Sequence, residues 1–145
     1  MKSSLLVIPA LLLLMSGCHL ENDPAKVAGD QSNVSPRSAN PPEVVNTHGN
    51  IENLKRLDLF VENARNNIND QIDYVQYGIE GQKGIRSLTY GDGQLKVEHH
   101  VDGEFVESYS CKNIQMEEAE KEMKYTLTGC TGSFQGDFEL LRVPQ

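Results

Sequence analysis

Three cysteines and four histidines carry most of the reactive side-chain chemistry in this chain. Cys18 closes the run Leu14-Met15-Ser16-Gly17-Cys18, directly after an apolar stretch. Cleavage before it would leave its thiol at a new N-terminus, where it can carry a fatty acid such as palmitate. With Cys18 assigned to lipid, Cys111 and Cys130 remain as a pair. An even remainder in an exported chain invites a disulfide, and two free thiols are the competing reading. With no second cysteine pair beside them, they are poor ligands for structural zinc. His48, followed by Gly49, and His99 are the two imidazoles that could contact a ligand or act as a base. His99 and His100 are adjacent on an expected strand, so their rings face opposite sides and cannot share one metal.

Other constellations fall short of a site. Ser108 and Ser110 flank Tyr109 near the histidines, but a Ser–His pair needs an orienting acid and an oxyanion hole to be catalytic. Asn66, Asn67, Asn69, Asp70 and Asp73 resemble a calcium loop only loosely. They lack its glycine at the sixth place and its bidentate glutamate at the twelfth. Glu117, Glu118, Glu120 and Glu122 read as a charged hairpin tip that discourages edge association. The dinucleotide and phosphate loops, H-E-x-x-H, C-x-x-C and G-x-S-x-G are all absent. The expectation is therefore no catalytic residue, no metal ligand and no cofactor.

Leu5 to Met15 is an uninterrupted apolar run, too short to cross roughly 30 Å of hydrocarbon. With Lys2 before it and Ser16-Gly17 after it, the layout is that of a secretory leader. An ordinary cut wants small residues at −1 and −3, yet Met15 or Leu14 would stand at −3. The segment resembles bacterial lipoprotein signals, with Leu14 one place earlier than usual. Cleavage would remove one of the 13 basic residues and none of the 21 acidic ones, taking the net charge from −8 to −9. Phosphate backbones repel such a chain, so nucleic acid is not an expected partner. The expected partners are the membrane, through lipid on Cys18, and an unknown protein or cell-wall ligand.

The elements that must position these residues follow. Residues 1–17 read as signal peptide and 18–42 as a lipid-anchored tether. The tether carries Pro24, Pro36, Pro41 and Pro42 and is too polar to offset its own ordering entropy. Residues 43–145 read as one domain. Val44–Thr47 could be a short edge strand or an extended lead-in. Ile51, Leu54, Leu57, Val61, Ala64 and Ile68 make one apolar stripe, predicting a helix with Asn50 as its N-cap. Strands are expected at Tyr74–Ile79, Ile85–Tyr90, Leu95–Val101 and Phe138–Val143, with two hairpin arms around Tyr109 and Tyr125. At Asp102-Gly103 a two-residue turn would oppose Glu98 to Glu107. A three-residue turn, pairing Leu95 with Tyr109 and His99 with Phe105, is preferred. If Cys111 faces Cys130, Ile114 meets Leu127 and Met116 meets Tyr125, so two apolar matches support the pairing. Glu117–Met123 could instead form a helical turn. The fold class expected is α+β: one amphipathic helix packed on an antiparallel sheet of about five to six strands.

Val44-Val45-Asn46-Thr47-His48-Gly49, Asn53-Leu54-Lys55-Arg56-Leu57, Cys111-Lys112-Asn113-Ile114 and Tyr125-Thr126-Leu127-Thr128-Gly129-Cys130 resemble a domain of unknown function. It occurs in small lipoproteins of Bacillus and relatives, and the resemblance covers about residues 43–144. It implies a Gram-positive exported lipoprotein and brings no catalytic residue or substrate. The expectation is a lipid-anchored, extracytoplasmic, non-enzymatic binding or interaction module on the cell membrane. The alternatives are a small cell-wall hydrolase or transferase using His48 or His99, and an inhibitor or immunity-type protein.

Overall fold

The computed structural model describes residues 40–145. The expected signal peptide, Cys18 and the tether up to residue 39 lie outside the described residues. Nine strands and one helix follow in the order β1 (Glu43–Thr47), β2 (Asn50–Glu52), α1 (Leu54–Arg65), β3 (Asp70–Tyr77), β4 (Lys83–Gly91), β5 (Gln94–Val101), β6 (Glu104–Cys111), β7 (Asn113–Ala119), β8 (Glu122–Gly132) and β9 (Gly136–Pro144).

Strands take 64% of the described chain, which overturns the expected α+β class with five to six strands. The helix does not form a second layer. It is the crossover between β1 and β3, the one parallel pair among the described strands, because parallel neighbours cannot be joined by a tight turn. The sheet runs β2-β1-β3-β4-β5-β6-β8-β7, and β9 takes the other edge of β8. It curls until strands distant in this order meet. Arg86 on β4 lies over the ring of Phe138 on β9, and α1 packs against β1, β3 and β7.

The extra strands come from turns and from polar starts. His48 (φ 53°) and Gly49 (φ 93°) both adopt positive φ, as a type I′ hairpin requires, so Thr47 pairs with Asn50. Asn50 and Ile51 therefore belong to β2, and the expected helix start there is wrong. The helix begins after Asn53, whose side chain donates to Glu43 O at 2.8 Å. It ends after Arg65 because Asn67 turns left-handed (φ 56°). Asn67 N–H donates to Ala64 O and Ile68 N–H to Asn63 O, the paired bonds of a Schellman motif. Ile68, expected on the buried stripe, is thus half-exposed. Leu57, Phe60, Val61 and Ala64 form the buried face. Burying each large one contributes about 2 kcal/mol.

Asp102-Gly103 makes a two-residue turn, not the three-residue turn expected. Val101 pairs with Glu104 and His100 with Phe105. A bulge then skips Val106, so His99 faces Glu107, Glu98 faces Ser108 and Val97 faces Tyr109. The unfavourable Glu98–Glu107 pair is avoided by the bulge rather than by a longer turn.

β6 and β7 are two halves of one bent strand. Tyr109 faces Gly132 and Ser110 faces Thr131; beyond Lys112 the same register continues with Ile114 facing Leu127 and Met116 facing Tyr125. Cys111 and Cys130 meet in that register and form a disulfide, with Cα atoms 3.8 Å apart. A loop of this size stabilises by roughly 3 kcal/mol in the chain-entropy model. Glu117–Ala119 continues β7 as strand, so the helical-turn alternative does not occur. A bulge between Tyr125 and Thr126 lets Leu140 and Leu141 both turn inward. Such bulges bend a strand and close the curl.

Candidate functional site

The two ends of the curl differ. At one end α1 closes the interior. Its Asp58 accepts a hydrogen bond from the Tyr125 hydroxyl at 2.5 Å. Arg56 grips Asp70, at the start of β3, with both guanidinium branches, and Asn63 Nδ2 donates to the same carboxylate at 2.8 Å. Two members of the calcium-like run are spent in this way. Asp70 is paired, and Asn67 accepts from the Tyr90 hydroxyl at 2.8 Å. Among the described residues no group of acids, cysteines and histidines is placed to hold a metal ion.

At the other end, past the middle of β3, the interior turns polar. Opposed residues of neighbouring strands share a face. In register across the inner face stand Val44, Tyr74, Arg86, His99 and Glu107, with Asn46 and Gln76 one step further out. A cleft of about 240 Å³ opens there, lined by Asn46, Tyr74 and Gln76 on one side and by Phe138 to Arg142 of β9 on the other.

The polar groups form a directed set. Gly49 N–H donates to Asn46 Oδ1 at 2.8 Å, which fixes the amide. Asn46 Nδ2 then donates to the Tyr74 hydroxyl oxygen at 3.0 Å. Burial pushes the Tyr74 phenol up, against smaller opposing effects of Asn46 and Arg86, so it stays protonated. The Arg86 guanidinium lies 4.9 Å from the centre of the Phe138 ring, a cation–π contact. Phe138 meets Phe134, which meets Tyr109, with ring centres 5.6 and 5.5 Å apart. Burial likewise raises the Tyr109 phenol, opposed by the charge of Arg86 and by a hydrogen bond that the guanidinium donates to it.

His99 stands in this row, with Nδ1 3.6 Å from Glu107 Oε1. Burial first, then the charge of Arg86, lowers its pKa; Glu107 opposes them. It is therefore a neutral imidazole near neutral pH. Two buried atoms in this row, Arg86 Nε and His99 Nδ1, have no hydrogen-bond partner among the described residues.

Of the residues singled out in the sequence, His99 is brought into the inner polar row, and His48 is not. His48 is an exposed turn residue of the β1–β2 hairpin and does not line the cleft. His100 points to the other face, where it packs edge-on to Phe105 at 5.6 Å. Ser108 and Ser110 share that other face, opposite Glu98 and Lys96. Neither can serve as a nucleophile for His99, although Glu107 stands where an orienting acid would. Asn46, Tyr74, Arg86, Glu107 and Phe138 are the residues that sequence reasoning missed. One signal was available: Arg86 shares the core phase of β4 with Leu88 and Tyr90, and a charge on a core phase asks for a reason.

A disulfide-stapled, curled β-sheet with one end plugged by a helix and a polar cleft at the other defines the class of this domain. The family described as "Domain of unknown function (DUF4362)" matches residues 42–126, more than half of the chain, and the chain belongs to it. No curated protein and no solved structure matches. Cys130 and the β9 side of the cleft lie beyond the matched residues.

Proposed function

We propose that the protein is an exported, Gram-positive lipoprotein, anchored through Cys18 to the extracytoplasmic face of the membrane, and that its β-domain is a non-enzymatic binding module. The observation that carries the binding reading is the inner row Tyr74–Arg86–His99–Glu107 beside an open cleft. Two of its buried polar atoms are unmatched, and an unpaired buried polar group costs about 1–3 kcal/mol. A fold accepts that cost most readily where a ligand supplies the missing partner. The anchoring reading rests on the Leu14–Cys18 run and on the bulky residues at −3 that disfavour ordinary cleavage.

The anchor is tested by growing cells that make the full-length protein with a labelled fatty acid. The label should travel with the protein into the membrane fraction, and Cys18→Ser should abolish both labelling and membrane retention. An unlabelled wild type, or a Cys18→Ser form that stays bound to membrane, contradicts the anchor.

A further inference from the structure

We propose that the outer face of β3 and β4 is a docking surface for the chain's own residues 33–39, which precede the described residues and cross this face on the way to β1. The inference stands apart from the cleft and from the binding reading above.

Burial on the side of the sheet away from the core argues for it. Side chains alternate between the two faces of a strand. Ile72 and Tyr74 point inward, so Gln71, Asp73 and Val75 point outward, opposite Thr89, Ser87 and Ile85 of β4. Yet Val75 is 0% exposed and Ser87 8%. Val75 is no member of the core cluster, which holds the inward residues of these strands and the buried face of α1. Side chains stand roughly perpendicular to a sheet, so Val45 and Ile85, in register on either side, flank Val75 without roofing it. Two polar atoms on the same face repeat the observation. Gln71 Nε2 and Asp73 Oδ1 are buried, and neither has a hydrogen-bond partner among the described residues. One is a donor and the other an acceptor, two places apart on one strand. A polypeptide segment offers both complements, a carbonyl for the amide and an N–H or hydroxyl for the carboxylate.

The place where the chain enters the domain names the segment. Asp73 N–H donates to Pro42 O at 3.0 Å, so the chain arrives at β1 beside the buried carboxylate. Seven extended residues reach about 23–25 Å. That exceeds the three strand spacings, of about 4.8 Å each, from β3 to β6. The residues of the segment match the face. Val34 supplies an apolar side chain for Val75 and Ile85, and Ser35 and Ser38 supply hydroxyls. Pro36 biases the residue before it towards extended backbone. Arg37 is the one charge in the segment, and it is positive. The row it would meet carries Glu43, Asp73 and Glu98, which share the outer face in register across β1, β3 and β5. In the anchored setting proposed above, the tether would leave the domain from this outer face and not from the end of β1.

The test follows the Val75 methyl signals of the full-length chain by nuclear magnetic resonance, with a neutral gadolinium chelate in the water. Val44, equally buried but in the core, and Val106, exposed, are the internal references. In the wild type Val75 should be as shielded as Val44. A second full-length chain carries a Gly-Ser run of equal length in place of residues 33–39, and its core amide spectrum reports that the fold persists. There the relaxation of Val75 should rise towards that of Val106 while Val44 stays shielded. Val75→Ala should lower the folding equilibrium constant of the wild type by about tenfold more than that of the replaced chain, a coupling of about 1.4 kcal/mol. Val75 open to the chelate in the wild type, Val75 still shielded after the replacement, or equal losses from Val75→Ala in both chains overturns the inference. Shielding in the replaced chain that disappears on dilution assigns the cover to a second copy and overturns it as well.

Discussion

At His99, environment decides protonation. Its ring is held among Arg86 on β4, Glu107 on β6 and its neighbour His100, and burial outweighs the help that Glu107 offers. The native pKa therefore lies below the ordinary imidazole value of about 6.5. The unfolded chain binds the proton more readily, so stability rises with pH through this window. The full contribution is present above about pH 6.5 and is lost as pH falls through the lower native value. Urea unfolding between mildly acidic and neutral pH should show the midpoint falling on acidification. His99→Gln should flatten that slope. A wild-type midpoint that rises on acidification, or a slope unchanged in His99→Gln, contradicts this account of the row. His99 was legible in the sequence because Leu95, Val97 and His99 alternate on one face. Its partners were not, because Arg86, Glu107 and Tyr74 come from three separate strands whose pairing depends on turns and a bulge.

Among the elements, α1 illustrates both what periodicity reveals and where it stops. The stripe of Leu57, Val61 and Ala64 identified the buried face correctly. The ends were misread because Ile51 and Ile68 continue the helical period by coincidence. His48-Gly49 and Asn67, each in a left-handed conformation, override it. Local backbone geometry won over periodicity at both ends. The face itself is open to test. Phe60 is fully buried and Leu59 is 47% exposed. Phe60→Ala should cost about 3–5 kcal/mol, whereas Leu59→Ala should stay within about 0.5 kcal/mol. Denaturant midpoints of the two variants check this, and similar losses would mean that α1 buries a different face. In the sheet, the register of Cys111 with Cys130 and of Ile114 with Leu127 was legible, since apolar faces and one covalent bond had to agree. The number of strands was not. β2 is only three residues long, and β3 begins with the polar residues Asp70 and Gln71.

Over the whole molecule, closure of the sheet is what creates the cleft. Asn46 and Phe138 are far apart in the chain and come together only because bulges in β6 and at Leu140 bend the sheet onto itself. Bulges follow from how strands fit around a core, and alternation patterns do not encode them. This is why the domain read in sequence as a helix packed on an antiparallel sheet of five to six strands and folds as a nine-stranded curl. In the proposed setting, an anchor at Cys18 and a polar tether of some two dozen residues would hold that open end within roughly 80 Å of the membrane at full stretch. The most direct measurement of the binding reading places a photo-crosslinking residue at Gln76, on the cleft wall, or at Lys96, on the outer face of β5, in full-length protein on intact cells. The account predicts a discrete adduct from Gln76, absent from Lys96 and lost when Arg86→Gln is added. No adduct from Gln76, or the same adducts from both positions, contradicts it.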